Sequence, residues 1–179
     1  MKGFFIVWHR YFVSVYENAL RNECGYTGAQ PYWNTANDVA ISRDPNRWSL
    51  FSNDTGFGGN GVFVPLTEPF PLNVSERVGG GCVPCGPFGK SSTFQVNIGT
   101  NADVSKSNPT CLKRDFLPSF IGWGTQDQVD FVLNQSDFAA FALQLEGFPF
   151  TTSIHSIGHF GIGGVGGQVT NPFTSPAGK

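Results

Sequence analysis

His155-Ser156-Ile157-Gly158-His159, running on into Phe160-Gly161-Ile162-Gly163-Gly164, is the stretch from which the rest of this sequence can be read. The chain has three histidines, and two of them stand here, four residues apart. On an α-helix, residues i and i+4 lie one above the other on the same face, so each imidazole can aim one nitrogen at a shared metal ion. By itself the spacing is common, and a pair of helix-face histidines held by ordinary hydrogen bonds is the plainer reading of it. The third histidine, His9, lies near the other end, in Phe4-Phe5-Ile6-Val7-Trp8-His9-Arg10-Tyr11-Phe12. Val7, Trp8, Tyr11, Phe12, Val15 and Tyr16 follow the 3.6-residue period of a buried helix face. A buried neutral histidine needs both ring nitrogens satisfied, and a metal on one with a carbonyl or carboxylate on the other does this. The two segments together predict a metal held inside a helical bundle, and imidazole ligation suits copper or zinc over magnesium or calcium.

Composition narrows the class. A length of 179 residues suits one domain with its own core, and 40% apolar content with 18 phenylalanines predicts a core of large rings. A net charge of −2, with 13% charged residues, leaves no basic stripe for nucleic acid. No apolar run approaches the roughly 18 residues of a membrane span. Met1-Lys2-Gly3 before Phe4-Phe5-Ile6-Val7 imitates a signal peptide, but the run is too short and Trp8-His9-Arg10 interrupts it. Neither repeats nor a second domain is visible.

Trp8-His9-Arg10-Tyr11-Phe12 with Tyr16-Glu17 resembles the W-H-R-x-F/Y…F/Y-E signature of the tyrosinase and catechol oxidase family, the type-3 copper proteins. His155, His159 and the Phe160-Gly161-Ile162-Gly163-Gly164 run resemble the start of that family's second copper-binding segment. Cys24-Gly25-Tyr26-Thr27-Gly28-Ala29-Gln30-Pro31-Tyr32-Trp33 is similar to the C-G-Y-x-G-x-Q-P-Y-W stretch of its short fungal secreted members. Phe57-Gly58-Gly59-Asn60-Gly61, Gly81-Cys82-Val83, Gly86-Pro87-Phe88 and Asn108-Pro109-Thr110-Cys111-Leu112-Lys113-Arg114-Asp115 extend the similarity along nearly the whole chain.

The resemblance implies a mainly α fold: a partial type-3 copper helical bundle with a long irregular, disulfide-stapled insertion and a few short strands. It implies two copper ions, each on three histidines, that activate O₂ and oxidise a phenol or o-diphenol to an o-quinone. By motif order His9 corresponds to the last ligand of the first copper, and His155 and His159 to the first two of the second. The remaining histidines would precede Met1 or follow a Ser-Pro-x-Asp-Pro-x-Phe-Trp-x-His-His stretch, and the chain closes at Ser175-Pro176-Ala177-Gly178-Lys179. Residues 1–179 are therefore expected to be a single copper-binding domain truncated at both ends, with three of six ligands.

Glu146 matches the glutamate that in some tyrosinases holds a water for deprotonating monophenols; a surface helix-end carboxylate before Gly147 is the alternative. Ser156 stands where strong monophenol hydroxylases often carry an asparagine. A serine hydroxyl donates one hydrogen bond, which favours a diphenol oxidase. Glu146 and Ser156 are the candidate catalytic residues, and the expected partners are a small phenolic substrate and O₂. The rival reading, favoured for this polypeptide by its short ligand set, is a tyrosinase-like remnant without catalysis. An oxygen carrier of the hemocyanin kind shares the copper pair, but the short fungal motifs argue against it. A zinc hydrolase is set aside because no glutamate follows either histidine as H-E-x-x-H requires.

Four cysteines fit an oxidising compartment, and structural disulfides are expected. Cys82 and Cys85 make a C-x-x-C with neither a second such pair nor a histidine nearby, which argues against zinc. Cys82 with Cys111 is the favoured pairing, although connectivity stays open; Cys24 has Cys85 or a cysteine outside this chain as candidate partners. Sequons at Asn53, Asn73 and Asn134 agree with a secreted glycoprotein.

In chain order, a helix is expected over 5–21, with Val7, Tyr11, Val15 and Leu20 inward, Glu17 free to fix a cation or a backbone group, and Gly25 as the C-terminal glycine. A short helix is expected after Pro31. Asn34 and Thr35 replace the family's usual aspartate and tryptophan, which is expected to weaken local packing. The region 38–114 reads as irregular, with short strands at 61–64 and 94–98. Helical segments follow over 125–145, the second with Ser136 as candidate N-cap near Asp137. The glycines at 161, 163, 164, 166 and 167 are expected to end the histidine helix in a flexible loop.

Overall fold

The computed structural model of the chain describes residues 4–65, 76–89, 95–97, 105–147 and 153–164. Helix α1 spans Phe5–Cys24. It stops at Gly25, whose φ of 67° is left-handed and costs glycine little, and the Gly25 N–H donates to Leu20 O. Glu17 does both jobs open to it: one carboxylate oxygen pairs with Arg21 at 2.9 Å, and the other accepts the Gln30 N–H at 2.7 Å. The second bond folds the segment after the helix back onto α1.

The inward face expected for α1 is not buried. Val7 is 63% exposed, Tyr11 70% and Val15 47%, and α1 has no buried residue. The helical period is present, but among the described residues nothing covers that face.

Helix α2 spans Thr35–Ile41. Asn34, expected to weaken the packing, is its N-cap: Oδ1 accepts the Asn37 N–H at 3.3 Å. Two 3₁₀ turns follow at Pro45–Arg47 and Ser49–Phe51. Val39, Trp48, Phe51, Phe116, Ile121 and Ile162 form the main core, with Trp33 and Leu50 packed against it. Each indole in it has a partner: Trp48 Nε1–H donates to Ser42 O at 2.8 Å and Trp33 Nε1–H to Asp38 Oδ2 at 2.7 Å.

The irregular region is held by a buried cation. The Arg114 guanidinium donates to the carbonyls of Phe57, Gly58 and Gly59 at 3.3, 2.5 and 2.6 Å. It also lies 4.7 Å from the Phe51 ring centre. Burial lowers its pKa from 12.5 to about 10, so it stays charged at neutral pH. Around it, β1 (Val96–Asn97) pairs antiparallel with β2 (Pro109–Thr110), and Phe63 and Gly80 form a single bridge. Of the strand expected at 94–98, Val96 and Asn97 form β1 while residues 94 and 98 lie outside the described residues, and the strand expected at 61–64 reduces to one bridge.

Cys82 and Cys111 are bonded, with Cα atoms 5.6 Å apart, whereas Cys24 and Cys85 are free and exposed. A Cys24–Cys85 bond is therefore not formed, and the C-x-x-C pair is divided between a disulfide and a free thiol. Closing a loop with a sequence separation of 29 stabilises the fold by about 3–4 kcal/mol through the unfolded chain's entropy. Cys82→Ser is expected to lose most of that, measured as a fall in the urea midpoint, with a steeper slope because the unfolded chain, freed of the loop, exposes more surface.

Short helices complete the fold: α3 (Pro118–Ile121), α4 (Gln126–Leu133) and α5 (Phe138–Glu146). The N-cap of α5 is Asp137 rather than Ser136: its Oδ1 accepts the Ala140 N–H at 2.9 Å, and that bond depresses its pKa. Serine and aspartate cap about equally well, and Asp137 takes the role because the helix begins at Phe138. No helix among the described residues is long and apolar enough to cross a membrane.

Candidate metal centre

The histidine segment forms α6 (Ile154–Ser156), which widens directly into a π-helical turn over Ile157–Ile162. Ser153 starts it with a reciprocal cap. The Ser156 N–H donates to Ser153 Oγ at 3.1 Å, and the Ser153 N–H donates to Ser156 Oγ at 2.7 Å. Ser153 Oγ–H in turn reaches Glu146 O at 3.1 Å, tying the end of α5 to the start of α6. Glu146 is thus brought to the base of the histidine segment through its backbone.

Ser156 is buried, and its hydroxyl hydrogen goes to Ser153 O at 2.8 Å. Its only donor is spent on the cap, so the water-orienting part expected of it has no free hydrogen behind it.

The π-helical turn takes the place of the expected flexible loop. Gly161 lies inside it, Gly163 caps it, and both are buried with Gly164. Gly166 and Gly167 lie outside the described residues. A π turn inserted in an α-helix shifts the side chains that follow it and often marks a functional segment. Here it carries His159, whose ring centre is 4.7 Å from that of His155.

His9 reaches the same place from α1. Its Nδ1–H donates to Phe5 O, one turn back, at 2.8 Å, which leaves Nε2 as the ring's free lone pair. The Phe5 ring lies between the two segments, 4.1 Å from His9 and 5.2 Å, edge-on, from His155. Phe5 was not singled out from the sequence. An aromatic four residues before a histidine on one helix was the available signal.

The electrostatics agree with convergence. Burial, helped by the proximity of His159 and His9, lowers the His155 pKa from 6.5 to about 4. His155 is therefore a neutral imidazole at neutral pH, the form that binds a transition metal. Neutral nitrogen donors fit copper, although among the described residues no group of three or more His, Cys, Asp or Glu side chains is gathered tightly enough to hold one ion.

The family described as the common central domain of tyrosinase matches residues 1–177. Tyrosinase P of Aspergillus terreus is 31% identical over 185 residues, covering 90% of this chain and 50% of that protein. N-acetyl-6-hydroxytryptophan oxidase of Emericella nidulans is 32% identical over 193 residues, covering 96% and 52%. A solved polyphenol oxidase variant from Thermothelomyces thermophila superposes with a TM-score of 0.77 at 37% identity, covering 98% of this chain and 49% of that one. The chain spans about half the length of the relatives it matches. With the helical fold, the histidine segments brought together from both ends, and a family match along nearly all of its length, the chain belongs to the tyrosinase family.

Proposed function

We propose that His9, His155 and His159 are ligands of a copper centre that oxidises phenols or o-diphenols to o-quinones with O₂, His9 serving one copper and His155 and His159 the other. The observation that carries this is the meeting of His9 and His155 about one Phe5 ring, from segments far apart in sequence. Copper bound there supplies the redox chemistry, passing electrons from the phenol to O₂. The protein's part is to hold the donors. The Phe5 carbonyl keeps His9 in the tautomer that presents Nε2, and burial keeps His155 unprotonated. The Ser153–Ser156 cap fixes the start of the helix on which His155 stands.

Glu146 is assigned the water that takes a proton from a monophenol. Ser156, its hydroxyl committed to the cap, gives that water no second hold, so the reading favours o-diphenols as substrates. The motifs that resemble those of short fungal secreted members, together with the sequons, support a secreted protein in this reading. A catalytically incompetent tyrosinase-like chain is the second reading, favoured by the lack of a three-donor cluster among the described residues.

Copper titration of the chain, with metal analysis and an assay for o-quinone from catechol, separates these readings. Copper held at the histidines, lost in His155→Gln and His159→Gln, with quinone formation supports the oxidase. Copper without quinone supports the second reading. Copper no higher in the wild type than in the His155→Gln and His159→Gln variants overturns the assignment of these ligands.

A further inference from the structure

We infer that the buried Asp115–Arg77 ion pair is a positioning device for His159. Asp115 is completely buried, and its carboxylate is held from two sides: Arg77 Nε–H donates to Oδ2 at 2.7 Å and the Gly79 N–H to Oδ1 at 2.9 Å. Arg77 adds a bond to Gly79 O at 3.3 Å and lies 5.8 Å from the Phe63 ring centre. Residue 115 is thereby fixed against the 77–80 segment, within the part of the fold that the Cys82–Cys111 bond and Arg114 already hold.

The backbone on either side of that carboxylate then grips the histidine segment. The Asp115 N–H donates to Ile162 O at 3.3 Å, and the Leu117 N–H donates to Gly161 O at 2.9 Å. Carbonyls at a helix C-terminus lack partners within the helix, so these two bonds finish the π-helical turn from outside. The turn is also held at close range. A Cβ on Gly161 would lie 3.1 Å from an Ile121 side-chain carbon, and one on Gly164, whose φ is +53°, would collide with the Asp115 backbone carbonyl. Fully buried Ile157 on the same turn faces Gly124. A π turn is a less regular hydrogen-bonded solution than the α-helix, so its persistence needs surroundings that impose it. The 115–117 clasp imposes it, and the ion pair sets where the clasp stands. The rotation and depth of His159 follow from Asp115, although Asp115 itself belongs to no metal site. A buried ion pair adds little net stability compared with apolar packing, whereas fixing one arrangement is a role such pairs can fill.

This inference rests on the reading of His159 as a metal ligand only for its functional consequence, so the test separates the two. With three histidines in the chain, ¹⁵N-detected imidazole spectra of the metal-free protein resolve each ring, assigned through His→Gln variants. Asp115→Asn and Arg77→Lys are expected to shift or double the His159 signals. Val96→Ala, a control in the separate cluster around Val83 and Leu112, is expected to leave them in place at a comparable loss of stability. Arg77→Lys keeps the buried charge paired, so it serves if Asp115→Asn does not fold. Copper affinity is expected to fall about tenfold in the clasp variants and less than about twofold in Val96→Ala, the size of effect that outer partners of ligands have. Unmoved His159 signals in a folded clasp variant would overturn the inference. Wild-type protein whose histidine signals ignore added copper would overturn the ligand reading instead, leaving the clasp to be judged on the metal-free spectra.

Discussion

Arg114→Ala is expected to lower the free energy of unfolding by about 4 kcal/mol, because it strips a buried cation from the carbonyls it holds. The Gly58 and Gly59 carbonyls lie in buried backbone and receive bonds of 2.5 and 2.6 Å from the guanidinium. Unsatisfied buried acceptors cost about 1–3 kcal/mol each, and the contact with the Phe51 ring is lost as well. A domain of this size has roughly 5–15 kcal/mol in total, so the variant should be marginal at 37 °C. Arg114→Lys should recover only part of the loss, since one ammonium cannot reach carbonyls spread over three residues as a planar fork does. Urea unfolding measures both. A loss below about 1 kcal/mol for the alanine variant would mean that the 57–59 loop is held by something other than Arg114.

Acid should weaken the metal-free protein through His155. Its folded pKa of about 4 lies below the 6.5 of an unperturbed histidine, lowered first by burial and then by His159 and His9. Above pH 6.5 both folded and unfolded chains carry a neutral ring, and the residue contributes no pH dependence. Between pH 6.5 and about 4 the unfolded chain takes a proton that the folded chain refuses, so stability falls as pH falls. Below about 4 both forms are protonated and the loss levels off. Its ceiling is roughly 3 kcal/mol, reduced by the ring's partial exposure. Denaturant midpoints measured from pH 7.5 to 4.5 on the wild type and on His155→Gln isolate the effect, since the carboxylates titrate alike in both. Parallel curves for the two proteins would show that His155 is better solvated than its setting implies. Copper binding at His155 in the folded protein should hold over most of that interval and weaken only as the pH nears about 4, where proton and metal begin to compete for one lone pair.

Local chemistry was legible in the sequence. The length of α1 and its end at Gly25 follow from helical periodicity and from glycine's tolerance of left-handed backbone, and both need only neighbouring residues. The three histidines were legible as ligand candidates because residue type decides which nitrogens can bind a transition metal. The Cys82–Cys111 pairing was the favoured one among connectivities that the sequence left open, and it is the one formed.

Burial and donor use were decided elsewhere. The apolar period of α1 correctly marks a helix, yet Tyr11 and Val15 face outward, because burial depends on what packs opposite. Ser156 and Asn34 could both donate and accept, and only the folded backbone shows that each is committed to a helix cap. Arg77 and Asp115 lie 38 residues apart, and nothing in the spacing of two charges predicts that they meet in the interior. The sequence by itself determined which residues have the donor chemistry to bind a metal and that α1 stops at Gly25, since propensity and donor chemistry act over a few residues. Tertiary structure alone decided which face is covered, which hydroxyl is committed to a cap and which charge pair meets in the interior, since those depend on how the folded chain brings its segments together.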